Sequence, residues 1–191
     1  MRFSSKKAAT VALLSAIATL LMFLEFPIPF LIPSFVRMDL SELPALLASF
    51  AYGPVAGAIV CLIKNLIKLI TTTSGGVGEL CNFLLGCCFV VPAGWIYRVK
   101  RTKKSAVLGS AIGVVSMAAL SFPLNLYVSY PMYMRLQPLE AILAMYQKIL
   151  PFADTLPECL LIFNLPFTLL KGVIDTVLVF AIYPVIRRYL D

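Results

Sequence analysis

The stretch SFAYGPVAG, residues 49 to 57, decides how many times this chain crosses a membrane. Gly53-Pro54 either kinks one long apolar helix or turns the chain back between two. The basic residues elsewhere settle the choice. Ten of the sixteen fall in three clusters: Arg2, Lys6 and Lys7; Arg98, Lys100, Arg101, Lys103 and Lys104; Arg187 and Arg188. Short membrane-flanking segments rich in lysine and arginine stay on the cytoplasmic side. A single span over residues 43 to 70 would put the central cluster on the opposite side from the first. A reversal at Gly53-Pro54 gives six segments and places all three clusters, and both termini, inside. About thirty residues at 1.5 Å rise make only about 45 Å of helix, too little for two full crossings, so one arm of this pair is short or begins earlier in the loop.

The rest of the composition agrees with a membrane location. Of the 191 residues 61% are hydrophobic and 13% charged, and the mean hydropathy is +0.95. Uncharged runs from Ala8 to Leu24, Leu43 to Ile63, Leu80 to Tyr97 and Ser105 to Met134 each approach or exceed what a helix needs to cross about 30 Å of hydrocarbon. No small-residue cleavage site follows the first run, so it reads as a retained helix. No stretch shows the alternation of a membrane β-strand. The expectation is an all-α integral membrane bundle of six transmembrane helices, roughly 7–26, 40–51, 54–72, 79–98, 105–135 and 158–188. Without repeats or a linker, residues 1–191 form one domain. The first outer connection, PIPFLIPSFVRMD at 27 to 39, is apolar and too proline-rich for helix. It either lids the mouth of the bundle or packs on helix ends.

Several activities are excluded. The chain has no G-x-x-x-x-G-K-[ST] loop and so does not hydrolyse ATP by itself. It has no histidine, which removes histidine-activated nucleophiles and the H-E-x-x-H zinc motif. The five cysteines include no C-x-x-C pair and read as apolar filler. The chain is not expected to be an enzyme, to hold a metal or cofactor, or to bind nucleic acid.

What remains is a set of polar groups where hydrocarbon should be: Asp39, Ser41 and Glu42; Lys64, Asn65 and Lys68; Glu79 and Asn82; Asn125; and Asn164, Thr168, Lys171 and Asp175. The six-segment topology puts nearly all of them in the outer half of the bundle. Ionisable groups at that depth cost a few kcal/mol unless paired or wetted, which makes them functional-site candidates. Structural readings stand beside this one. Lys171 and Asp175, one turn apart, can neutralise each other; Asp39 and Ser41 can cap the second helix; Lys64 and Lys68 can snorkel outward. Asn82, Asn125 and Thr168, spread over three helices at similar depth, suit a small polar or heteroaromatic ligand in an apolar pocket. In the first helix, Ala8, Ala12 and Ala16 form a stripe of small residues along one face. Such a stripe admits close approach of another helix, either from this chain or from a membrane partner.

RMDLSELPALLASFAYGPVAGAIVCLIKNLIKL (37 to 69), GELCNFLLG (78 to 86) and PFTLLKG (166 to 172), in this order and spacing, resemble the riboflavin-specific substrate-binding (S) component of energy-coupling factor (ECF) transporters, over about residues 7 to 185. The resemblance implies six helices with cytoplasmic ends in a multi-pass protein of the prokaryotic plasma membrane. It further implies an outward-facing vitamin pocket lidded by the loop after the first helix, and an alanine motif (here Ala8, Ala12 and Ala16) that docks a membrane-embedded coupling subunit. Two separate ATPase subunits would supply the energy. By the same resemblance Lys171 matches a lysine that contacts the flavin and Asn125 a pocket asparagine, while Asp39, Glu79 and Asn82 match acidic and amide positions near it. Riboflavin would be a transported ligand and not a cofactor. One position departs from the pattern: Thr168 stands where the family has asparagine, and Asn164, one turn earlier, is its candidate substitute. A flavin analogue, a flavin nucleotide or another vitamin therefore stays open, as does, in a different class, an assembly or regulatory subunit without ligand.

Overall fold

The computed structural model describes residues 5–72 and 74–190, with side chains through Pro184. Its helices are α1 (Ser5–Phe23), α2 (Glu42–Tyr52), α3 (Pro54–Lys68, followed by a 3-10 turn at Leu69–Thr71), α4 (Val77–Lys100), α5 (Lys103–Leu124), α6 (Tyr130–Tyr133), α7 (Leu139–Gln147), α8 (Leu156–Cys159) and α9 (Leu165–Leu190). Wide π turns at Asn125–Ser129 and Leu160–Asn164 join α5 to α6 and α8 to α9. Among the described residues five helical stretches are long and apolar enough to cross a membrane: Ser5–Phe23, Pro54–Thr71, Val77–Lys100, Lys103–Tyr133 and Leu156–Pro184. Large apolar side chains along them, such as Leu13, Leu20, Val107, Val115, Leu161 and Val177, are exposed. Such an apolar exterior fits a bilayer and would be a liability in water.

The chain does reverse at Gly53. Its φ of 98° and ψ of 170° are open to glycine but disfavoured for any residue with a Cβ, and Pro54 then starts α3, where its missing N–H costs nothing. Across the hairpin Lys64 Nζ meets Ser41 Oγ and Glu42 Oε1, each at 2.6 Å. With 11 residues, about 16 Å of helix, α2 is the short arm. Ser49 Oγ donates to the Val90 carbonyl at 2.6 Å, tying this arm to α4. Close approach there depends on Gly94, where a Cβ would lie 2.0 Å from Ser49 Oγ.

Contacts fix the ends of the bundle relative to one another. Arg98, near the end of α4, lies over the Gly53 turn. Phe50 stacks on Phe180 of α9 with ring centroids 6.3 Å apart. At the opposite end Lys68 reaches Glu25 at 3.3 Å and lies 4.6 Å from the Phe23 ring centroid. The start of α1, the α2–α3 turn, the α4–α5 turn and the later part of α9 therefore share one end, which carries Lys6, Lys7 and the cluster at 98 to 104. Arg2 and the side chains of Arg187 and Arg188 lie outside the described residues.

Four expected segments need correction. The first helix ends at Phe23 and not near 26, because Phe26-Pro27 pairs antiparallel with Arg37-Met38 and pins both ends of the proline-rich loop. The outer connection at 136 to 157 holds α7, whose Ile142 and Tyr146 are buried. The 105–135 helix is interrupted by a π turn, as is the start of the last one. Pro131 and Pro166 each follow such a turn by two residues; the donor they lack removes the next i to i−4 bond and lets the preceding turn widen. Two apolar cores result. One is centred on α2, α3 and α4 (Leu46, Val60, Phe89, Val90) and the other on the outer loop, α7 and the α8–α9 junction (Ile32, Tyr146, Leu160, Phe163).

Candidate functional site

Where the two cores meet, a cavity of about 200 Å³ opens. The π turns aim asparagines at it: Asn125 begins the first and Asn164 ends the second. Asn82 comes from the second turn of α4, and Thr168 and Lys171 from the first two turns of α9. Asp39 and Glu42 enter from the segment leading into α2. Phe35, Val36, Leu85, Met117, Tyr130, Tyr133 and Phe167 complete the wall. Of the seven residues predicted to bind a ligand, six line this cavity: Asp39, Asn82, Asn125, Asn164, Thr168 and Lys171. Glu79 instead lines a neighbouring cavity of about 660 Å³. The two share Phe35, Arg37, Asp39, Asn82 and Tyr133, so they form one continuous depression, narrow inside and wide outside.

The charges pair differently from any single structural reading. Lys171 Nζ donates to Asp39 Oδ2 at 2.8 Å, reaching across the cavity and not along its own helix. Asp39 Oδ1 accepts the Ser41 backbone N–H at 2.8 Å. Burial opposes ionisation of Asp39, but the Lys171 and Lys64 ammoniums outweigh it and hold the carboxyl well below the ordinary carboxylate range. A depressed carboxyl contributes its stability in full above its unfolded value and loses it only as pH falls further, so this pair is intact throughout the neutral range. Ser41 makes no side-chain cap of α2; its hydroxyl instead takes the Lys64 ammonium. Lys64 does not snorkel either: it is fully buried and bonded to Glu42. Asp175 does not neutralise Lys171, and both its oxygens are buried without a hydrogen-bond partner among the described residues.

Polar groups at the wall divide into committed and available ones. Asn164 is committed: its Oδ1 accepts from Tyr146 Oη at 2.6 Å and its Nδ2 donates to Tyr130 Oη at 3.1 Å, while the two tyrosine hydroxyls bond each other. Phe35 of the loop sets its ring edge against Tyr130, Tyr133 and Tyr146, 6.1 to 6.3 Å between centroids. The Thr168 hydroxyl donates back to the Asn164 carbonyl at 2.8 Å, leaving only its acceptor side for the cavity. Asn82 Oδ1 is buried and unpartnered. Glu79 Oε2 accepts from Thr72 at 2.9 Å and Ser74 at 3.1 Å, which orders the turn before α4 and explains why it sits outside the inner cavity. Aromatic and apolar walls carrying a few convergent polar groups bind a small molecule; among the described residues no cluster of metal ligands accompanies them. The aromatic members, Phe35, Tyr130, Tyr133 and Phe167, were not predicted. In sequence they are four more rings among many, and only the folding of the loop, α6 and α9 together collects them.

The alanine stripe has a plain outcome. Ala8, Ala12 and Ala16 are all exposed, whereas Val11, Leu14, Ser15, Ala18, Thr19 and Met22 form the buried face of α1. The stripe lies outside the buried face of α1 among the described residues.

The family model for the substrate-specific component of ECF transporters matches residues 6–183. The chain is 35% identical over 186 residues to the riboflavin transporter RibU of Staphylococcus aureus, covering 97% of this chain and 93% of that protein. It is 30% identical over 189 residues to the riboflavin transporter FmnP of Bacillus subtilis, covering 97% and 94%. Its fold matches a solved structure described as the S component of a bacterial ECF transporter, with a TM-score of 0.75 at 34% identity over 97% of this chain and 98% of the other.

Proposed function

The chain belongs to the family of substrate-specific components of ECF transporters, and from that premise we propose that it captures riboflavin and hands it to a membrane importer, by binding and without catalysis. The observation that carries the reading is the convergence of Asp39, Asn82, Asn125, Thr168 and Lys171 from a loop and three helices on one aromatic-walled cavity, in a chain 35% identical to a riboflavin transporter. The isoalloxazine ring, apolar on its faces and polar at its edges, suits the inner cavity; the hydroxylated side chain suits the wider one beside Ser74 and Glu79. The segment from 27 to 39 covers the ring through Phe35. In the prokaryotic plasma membrane the chain makes six segments, α2 being the short one, with both ends cytoplasmic. The exposed stripe of Ala8, Ala12 and Ala16 docks a membrane-embedded coupling subunit, and two ATPase subunits drive transport.

Riboflavin is favoured over a flavin nucleotide by the charges at the mouth. A phosphate needs an excess of cations, but the outer cavity sets Arg37 and Lys68 against Glu25, Asp39 and Glu79. Protein purified from flavin-fed cells should carry the visible absorbance of bound flavin at near one equivalent, and Lys171→Ala should lose it. A colourless protein that ignores riboflavin in a fluorescence titration refutes the proposal.

A further inference from the structure

Asp175 of α9 is a buried carboxyl that the binding scheme above does not use and that, unlike Glu42, makes no ion pair among the described residues. It is 0% exposed, both oxygens lack a partner among the described residues, and buried polar groups in that condition call for an explanation. The charged groups that act on it are Lys171, Glu42, Asp39 and Lys64. Lys171 stands one turn before it on α9, and every Cα–Cβ bond of a helix tilts toward the preceding turn. Asp39, on the loop into α2, holds Lys171 at 2.8 Å. Glu42 of α2 is committed to Lys64 of α3 at 2.6 Å and accepts from Cys61 at 3.6 Å. Lys171 thus has three carboxylates within electrostatic range: Asp39, which it bonds, Glu42, which is committed to Lys64, and Asp175, which bonds nothing among the described residues.

The dimensions of the cavity say when Asp175 is needed. The inner part alone, about 200 Å³, is below the roughly 300 Å³ at which small-molecule pockets begin, so seating a ring there widens it, and the Lys171–Asp39 pair is one tie between the covering segment and α9. Admitting a ligand of vitamin size separates Asp39 from α9, and a buried ammonium stripped of its counter-ion is strongly disfavoured. We propose that Asp175 is a positioning residue for Lys171, a reserve counter-ion that takes over the ammonium when ligand entry draws Asp39 away.

The inference rests on the riboflavin reading for its trigger but is testable without it. In protein without added ligand, Asp39→Asn should be tolerated because Lys171 turns to Asp175. Adding Asp175→Asn to Asp39→Asn should lower Tm by several degrees more than Asp175→Asn does in the wild-type background. If the double variant fails to fold, adding Lys171→Met should restore it, since no ammonium is then left uncompensated. Additive Tm changes, or a double variant that Lys171→Met does not rescue, overturn the proposal. With riboflavin as the probe, Asp175→Asn alone should weaken binding about tenfold or more while leaving Tm without ligand near wild type, whereas affinity within twofold of wild type overturns it. A wild-type protein that binds no riboflavin would refute the transport reading and leave the Tm cycle to decide this one.

Discussion

Thr168 is the residue at which this chain departs from the pattern of the family it resembles, and the structure shows how the threonine is bonded. Its hydroxyl proton is spent on the Asn164 carbonyl, so toward a ligand in the cavity it only accepts, where an asparagine would also donate. Asn164 holds a tyrosine hydroxyl at each end of its amide, which leaves it one N–H and one oxygen lone pair. One net hydrogen bond is worth about 0.5–1.5 kcal/mol. Thr168→Asn is therefore expected to tighten riboflavin binding by about threefold to tenfold in a fluorescence titration; weaker binding would mean that the threonine is itself the better partner.

At the scale of elements, the inner end of the bundle is held by backbones that touch. A Cβ on Gly113 of α5 would lie 2.3 Å from the Phe89 carbonyl oxygen of α4, and a carbonyl in a helix cannot turn aside as a side chain can. Overpacking of this kind costs about 1–3 kcal/mol. Gly113→Ala should lower Tm by several degrees in detergent, read by circular dichroism; an unchanged Tm would show that α4 and α5 separate freely. The outer elements differ in kind. There the β1–β2 pair (Phe26–Pro27 with Arg37–Met38), α7 and the π turns shape a cavity, and their contacts are aromatic edges and hydroxyls.

For the whole molecule, the exposed alanines of α1 and the cavity are separate surfaces: the stripe faces away from the core and none of its residues lines either cavity. Ala12→Trp should accordingly leave riboflavin affinity unchanged in purified protein yet abolish uptake by cells. Uptake that persists would show that α1 is not the docking face.

Much of this was legible before folding was considered. Hydropathy is a sum over residues, so the membrane class and the long apolar helices needed only composition. Charge asymmetry is likewise additive along the chain, and it pointed to the reversal at Gly53, while helix rise alone required one arm to be short or to begin earlier in the loop; a positive-φ glycine followed by proline then makes that turn locally. The polar candidates at Asp39, Asn82, Asn125 and Lys171 stood out because hydrocarbon tolerates such groups poorly. Partnership was not legible. That Lys171 pairs with Asp39 and not Asp175, or Lys64 with Glu42 and not solvent, depends on distances between segments up to 132 residues apart. Spacing along one helix carries no information about them. Likewise α7 is too short for its pattern to stand out, and the aromatic wall exists only because the loop and α6 meet α9. Tertiary structure decided those features because pairing energy depends on what three-dimensional packing brings within a few ångströms.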